Sequence, residues 1–355
     1  MNRKSGIKNL KFPLHRIRRR LLAWYEKNRR DLPWRRTRDP YAIWIAETML
    51  QQTQVKNVLP YYRSFLKAFP SIESLNRASR RAVLALWSGL GYYRRAENLK
   101  AAARIIIREH RGEMPREFDD LLALPGIGPY TAGALMSIAF NQSFPALDGN
   151  ARRVLSRLFG VNKDKDLHGI ATRVVTPSNP GEFNQALMEL GSTVCLARNP
   201  LCPQCPLSLL CRARRASGLR PKAGSPPKRV TKKVQWPLVV VQYKNKILLR
   251  RRPAEGILAG LWEVPGSERK KGESLKAALK RHLNGLAQMI RPDRLVGEIR
   301  HSITGRTIRA PVFLCPNGKG ASLPDRGWRW VPTSSLHRYP LSSLSLKAIQ
   351  LALRR

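Results

Sequence analysis

Acidic residues are scarce in this chain: 23 aspartates and glutamates stand against 66 lysines and arginines in 355 residues, a formal charge of +43. Such a surplus repels itself in a compact fold and attracts polyanions, which makes nucleic acid the leading partner class, ahead of an anionic membrane surface. Long hydrophobic runs are also missing. No stretch approaches the ~18 consecutive apolar residues that a bilayer span needs, so an integral membrane protein is excluded. The first 24 residues carry Arg3, Lys4, Lys8, Lys11, Arg16, Arg18, Arg19 and Arg20 but no apolar core of secretory-signal length, and export is not expected. Cysteine is limited to five residues, four of them within 195–211, a clustering that suits metal ligation better than a disulfide framework. Cys315 stands apart and reads as a packed thiol. Six scattered histidines form no hydrolytic triad with any cysteine.

The length predicts more than one domain. Residues 14–190 read as helical: Ile17, Leu21, Trp24 and Tyr25 recur at helical spacing, and Asp39-Pro40 supplies an N-cap and a first-turn proline for a helix through Ile43, Trp44 and Met49. Further helices are expected near 55–69, 96–109, 130–140, 151–159 and 183–190, separated by Gly- and Pro-containing turns. The cysteine cluster closes this region at 211. Residues 212–235 hold nine basic residues, no acidic one, and Pro221, Pro226 and Pro227, which reads as a basic linker. From 236 to 355 short aliphatic runs flank Tyr243-Lys244-Asn245 as a hairpin, and a helical run near 274–286 makes this an α+β domain.

Three motifs carry chemistry. Cys195-x6-Cys202-x2-Cys205-x5-Cys211 is the thiolate set of a [4Fe–4S] cluster, although tetrahedral zinc uses the same four sulfurs. Leu124-Pro125-Gly126-Ile127-Gly128-Pro129-Tyr130 is a turn whose glycines and following helix start, Gly126 and Gly128 above all, suit a DNA phosphate gripped without sequence readout. Glu47, on the helix started by Pro40, is expected to be partly buried and to keep a proton as a general acid. Asp148 lies where a helix begins, so the helix dipole is expected to favour its ionised form, which suits stabilising a cation.

Asp31-Leu32-Pro33-Trp34-Arg35, the run from Glu47 to Val55, Gly89-Leu90-Gly91-Tyr92-Tyr93, the 124–133 hairpin, Leu147-Asp148-Gly149-Asn150 and the four cysteines occur in the order and spacing of the MutY family of adenine DNA glycosylases. The chain resembles that family over nearly its whole length. The resemblance implies a multidomain protein: an all-α helix-hairpin-helix glycosylase domain with an iron-sulfur cluster loop, then a C-terminal α+β Nudix-like domain. It implies hydrolysis of the N-glycosidic bond of adenine mispaired with 8-oxoguanine or guanine in duplex DNA, with a [4Fe–4S] cluster. Glu47 would protonate adenine N7 and activate water, and Asp148 would stabilise the oxocarbenium-like sugar. Tyr130 and Asn150 would assist near the sugar, Glu189 and Arg35 would hold the extruded base, Gln52, Thr53 and Leu90 would wedge into the stack, and Tyr92 would contact the opposing base. Strand-cleaving relatives carry a lysine where Tyr130 stands, so a monofunctional enzyme is expected.

The 236–355 part resembles Nudix proteins in Leu249–Pro253 and Gly260–Gly266, yet Lys280-Arg281-His282-Leu283-Asn284-Gly285 lacks the glutamates that would hold Mg²⁺. Pyrophosphatase activity is not expected. The family's Phe-Ser-His lesion-reading element is matched by Ile303-Thr304-Gly305, with Thr304 as the conservative replacement and the other two residues absent, which puts selectivity over plain guanine in question. A monomer in the bacterial cytoplasm, at the nucleoid when on DNA and without membrane contact, is expected. The alternatives are a pyrimidine glycosylase/lyase, a catalytically silent DNA-binding scaffold and, more distantly, a zinc-stapled RNA-binding protein.

Overall fold

The computed structural model of the chain describes residues 13–161, 163–216, 231–283, 286, 290, 294–303, 305–316, 318, 323, 325 and 327–353. In chain order the described helices are α1 (Leu14–Asn28), α2 (Pro40–Leu50), α3 (Val55–Ala68), α4 (Ile72–Arg77), α5 (Arg80–Leu86), α6 (Arg94–Glu109), α7 (Phe118–Ala123), α8 (Pro129–Ala134), α9 (Gly149–Phe159), α10 (Asp164–Val174), α11 (Pro180–Thr193), α12 (Arg212–Arg215), α13 (Leu275–Leu283) and α14 (Ser343–Leu353). The strands are β1 (Lys232–Gln235), β2 (Leu238–Tyr243), β3 (Lys246–Arg251), β4 (Trp262–Glu263), β5 (Arg294–Ile303), β6 (Arg306–Cys315) and β7 (Trp328–Pro332).

Contacts divide the chain into two units, one of Met1–Asn76 with Ala101–Ser225 and one of Arg77–Lys100 with Pro226–Arg355. Residues 77–100 group by contact with the C-terminal part. The expected linker 212–235 is ordered at both ends, since α12 lies at its start and β1 at its end; its centre, 217–230, lies outside the described residues. β1 forms because Val234 alternates with its polar neighbours and is buried against the sheet, a short signal that the surrounding basic residues hide.

In the first unit, Asp39 caps α2 through bonds from the Tyr41 and Ala42 amides, and Pro40 occupies its first turn. Every residue from Tyr41 to Met49 is buried, so α2 is a core helix and its one acid, Glu47, is carried inside with it. α1 buries Ile17, Leu21 and Tyr25 in a core shared with Val154, Leu155 and Leu158 of α9 and Phe183, Leu187 and Leu190 of α11. Gly191 permits the close approach of α11 to α9: a Cβ there would lie 2.6 Å from that of Asn150. α7 and α8 form the hairpin, and Gly126 makes its turn at φ +82°. A π-turn, Leu135–Ala139, continues α8.

In the second unit, β6 pairs along one edge with β1 and then β2, both parallel, and with antiparallel β5 on the other. Pro237 interrupts between β1 and β2, where a ladder donor is missing. β3 pairs antiparallel with β2, β4 and β7. Alternation along β2 sends Val240 to a core with Leu344, Ala348 and Ile349 of α14, and Val239 and Val241 to one with Leu279 and Leu283 of α13. The 88–93 turn belongs to this unit. The Ser88 hydroxyl donates to the Leu341 carbonyl (2.7 Å) and accepts from the Leu341 amide (3.1 Å), while the Tyr93 phenol donates to the same carbonyl at 2.5 Å.

Candidate active site

A cleft of about 1100 Å³ opens in the first unit, lined by Arg30, Arg35, Glu47, Gln52, Thr53, Gly128, Tyr130, Asp148, Asn150, Arg153, Gln185, Met188 and Glu189 among others. Glu47 is 5% exposed, and burial pushes its carboxyl up to about 7. The Tyr130 phenol donates to Glu47 Oε2 and opposes that rise, whereas the negative charge of Asp148 adds to it. Tyr130 itself is held far above the ordinary phenol range by burial and by the two carboxylates, so it stays protonated as a donor.

Asp148 is the N-cap of α9, as its position in the sequence suggests, and accepts from the Ala151 amide at 2.6 Å and from Asn150 Nδ2 at 2.8 Å. Burial raises its carboxyl above the usual range, and the bonds from Ala151 and Asn150 at the helix start oppose that rise. Asn150 Oδ1 in turn accepts from Arg153 at 2.8 Å, and the same guanidinium donates to the Gly191 and Cys195 carbonyls at 2.6 and 2.8 Å.

Glu189 is fully buried, with one oxygen bound by Arg30 (2.7 Å) and the other by Arg30 (2.8 Å) and Arg35 (2.6 Å). Burial raises its carboxyl, but the two guanidinium partners outweigh it and bring it to about 2. Glu189 and Arg35 therefore hold each other at the cleft wall. Gln52, exposed at the rim, adopts the left-handed backbone at φ +57°. Gly128 is extended, with no protein atom within 4 Å of where a Cβ would stand, which leaves the backbone open to a ligand. Gly126 shapes the hairpin turn without lining the cleft. Leu90 and Tyr92 lie in the second unit. Leu90, expected as a wedge, is 8% exposed and packed inward, whereas Tyr92, at φ +47° and 53% exposed, is the side chain this turn presents to solvent. Thr304 lies outside the described residues.

The four cysteines line a single cavity in the first unit, all as free half-buried thiols. Among the described residues no group of three or more His, Cys, Asp or Glu stands in ligating arrangement. The donor chemistry nonetheless fits a metal group. Burial pushes Cys205 up to about 11 and raises Cys211, and the neighbouring cysteines add to both rises, so four thiolates together need a cation to form. Arg157 fixes the loop by donating to the Leu196 and Ala197 carbonyls at 2.7 and 3.0 Å and to Cys195 Sγ at 3.3 Å.

Comparison with known proteins places these features. Residues 45–177 match the HhH-GPD superfamily of base excision DNA repair proteins, and residues 237–351 match the NUDIX domain. The adenine DNA glycosylase of Homo sapiens is 36% identical over 397 residues, covering 93% of this chain and 72% of that one. The adenine DNA glycosylase of Buchnera aphidicola subsp. Acyrthosiphon pisum is 38% identical over 258 residues, 69% of this chain and 72% of its own. This chain belongs to the adenine DNA glycosylases.

The glycosylase is thereby a hydrolase of N-glycosyl bonds in base excision repair, with a helix-hairpin-helix domain and a Nudix-like domain. A thermostable thymine-DNA glycosylase superposes with a TM-score of 0.55 at 32% identity, over 57% of this chain and 97% of that one. An endonuclease III–DNA complex, at 0.50 and 23% identity over 58% and 98%, shares the fold. Sequence reading of this glycosylase missed Arg30, Arg153, Gln185 and Met188. The last two had a signal: Gln185, Met188, Glu189 and Ser192 follow i, i+3, i+4, i+7 along α11 and all line the cleft. Arg153 had one too, three residues after Asn150 on the helix that Asp148 caps, whereas Arg30 had none, because only tertiary packing brings it to Glu189.

Proposed function

We propose that the protein is a monofunctional, monomeric glycosylase that removes adenine paired with 8-oxoguanine or guanine from duplex DNA. The observation carrying this reading is that Glu47 and Asp148, 101 residues apart by their numbers, line one cleft, with Glu47 held half-protonated near neutral pH. Breaking the glycosidic bond requires an extruded nucleotide, a proton on the leaving base and stabilisation of positive charge on the sugar. Glu47 supplies the proton to the purine ring, with Tyr130 fixing the orientation of its carboxyl. The resulting carboxylate then accepts a proton from the attacking water. Asp148, aligned by the Ala151 amide and Asn150, faces the developing cation as a carboxylate. Tyr130 offers no amine for a Schiff base, so strand cleavage is not part of the reaction.

Cys195, Cys202, Cys205 and Cys211 would hold a [4Fe–4S] cluster, which when bound fixes the 195–211 loop beside α9. The second unit would read the base opposite adenine, with Tyr92 and Thr304 as its residues. Location in the bacterial cytoplasm, at the nucleoid, is part of this proposal. Incubation with duplexes pairing adenine with 8-oxoguanine, guanine or thymine, scored for free base and alkali-labile sites, tests it. Adenine release from the first two without borohydride-trappable imine is the expected result, and release of thymine or trapping of an imine would overturn it.

A further inference from the structure

Away from the cleft, the second unit carries an open groove of about 930 Å³ lined by seven cationic side chains and one carboxylate. Strand register builds its floor. Gln235, Arg309 and Arg300 form one row across β1, β6 and β5, and Lys233, Thr307 and Ser302 form the next, two residues along. Paired residues share a face, so both rows point away from Val234, Ile299 and Ile308, which are buried beneath them. The 268–271 loop forms one wall and is tied to β1 by the Arg269 amide donating to the Gln235 carbonyl at 2.8 Å. Glu268, the one carboxylate, is neutralised by Lys232 (2.8 Å) and Arg306 (3.7 Å). Lys233, Lys271 and Arg300 are exposed and have no ion-pair partner among the described residues.

We propose that this groove is a backbone-phosphate site for duplex DNA that adds mispair-independent affinity to the chemistry of the cleft. The inference rests on the proposed function for the identity of the polymer. Three features select the class of ligand. Arg309 and Arg300 lie in one row and Lys233 in the next, about 7 Å along the strands, a spread suited to a chain of phosphates rather than one small anion. No aromatic side chain lines the groove, so there is no platform for unstacked bases. The groove's one carboxylate, Glu268, is paired with Lys232 and Arg306, so the lining offers no acidic set for the cation that accompanies a nucleoside triphosphate.

The test measures affinity of the full chain for a fully paired duplex by fluorescence anisotropy across a salt series, with Lys233→Gln/Lys271→Gln/Arg300→Gln as the variant. Each lost phosphate contact removes about 0.9 from the slope of log K against log salt, so the triple variant is expected to be shallower by about 2 to 3 and about tenfold weaker at low salt. Single-turnover excision at saturating protein stays unchanged, and Lys233→Arg/Lys271→Arg/Arg300→Lys restores the slope. An unchanged slope in a variant of native melting temperature overturns the site. So does competition by an oligoglutamate peptide with no effect on the duplex slope, which would assign the groove to an acidic protein. A failed adenine assay would overturn the proposed function and leave the salt slope to decide the groove.

Discussion

The phenol of Tyr130 donates a hydrogen bond to the carboxyl of Glu47 across 83 residues of sequence. That bond favours the charged form of Glu47 and so works against the burial that keeps it protonated. Tyr130→Phe is therefore expected to raise the Glu47 pKa and move the alkaline limb of the single-turnover pH profile upward. A profile that shifts downward would show that the phenol accepts from a protonated Glu47 instead.

Glu47 also links pH to stability. Its carboxyl stands at about 7 in the folded chain against an ordinary 4.5, so the folded state binds this proton more tightly than the unfolded one. The favourable contribution is complete below about pH 4.5 and is lost as pH rises through 7. Glu47→Gln cannot ionise, so its melting temperature should gain on that of the parent protein as pH rises over this interval. Equal pH dependence of the two proteins would contradict the buried, protonated carboxyl.

The Arg30–Glu189–Arg35 cluster has the opposite sign. Glu189 is lowered to about 2, so the stability it contributes is present above the ordinary 4.5 and is lost as pH falls toward 2. Glu189→Gln leaves the guanidinium of Arg35 buried without its counter-charge and should cost on the order of 3 kcal/mol at neutral pH, read by urea unfolding. The variant should also lose the acid-induced part of the fall in stability.

These sites differ in how far the sequence disclosed them. Asp39-Pro40 and Asp148 announced helix starts because capping is a local interaction, and the 238–249 hairpin followed from aliphatic runs around a turn. Cysteine spacing marked the 195–211 loop. Arg30 was invisible, since its bonds to Glu189 join segments that meet only on folding. The upward shift of the Asp148 carboxyl was hidden for a related reason: the cap is local, whereas the burial that opposes it is made by the whole cleft. Leu90 gave no hint of its inward packing, because the 88–93 turn takes its orientation from bonds to Leu341, about 250 residues away.

That turn supplies another test. Ser88→Ala removes the acceptor of the Leu341 amide and one donor to its carbonyl, which should cost about 1–3 kcal/mol in urea unfolding. Binding to mispaired duplex should weaken as well, because Tyr92 is presented from this turn. Unchanged unfolding would show that the bonds to Leu341 do not hold it.

Cys202→Ser should yield protein without iron and without visible absorbance, whereas metal analysis of the parent chain should give about four irons per molecule. Stoichiometric zinc in the parent chain would contradict the cluster assignment.

The central claim is that Glu47 delivers the proton that expels adenine. Single-turnover release of adenine from a duplex pairing it with 8-oxoguanine, followed against pH for the parent protein and Glu47→Gln, tests this most directly. The parent rate should fall as pH rises through about 7, and the variant should bind the duplex yet excise about 10²–10⁴-fold more slowly. A variant that retains the parent rate would contradict the account.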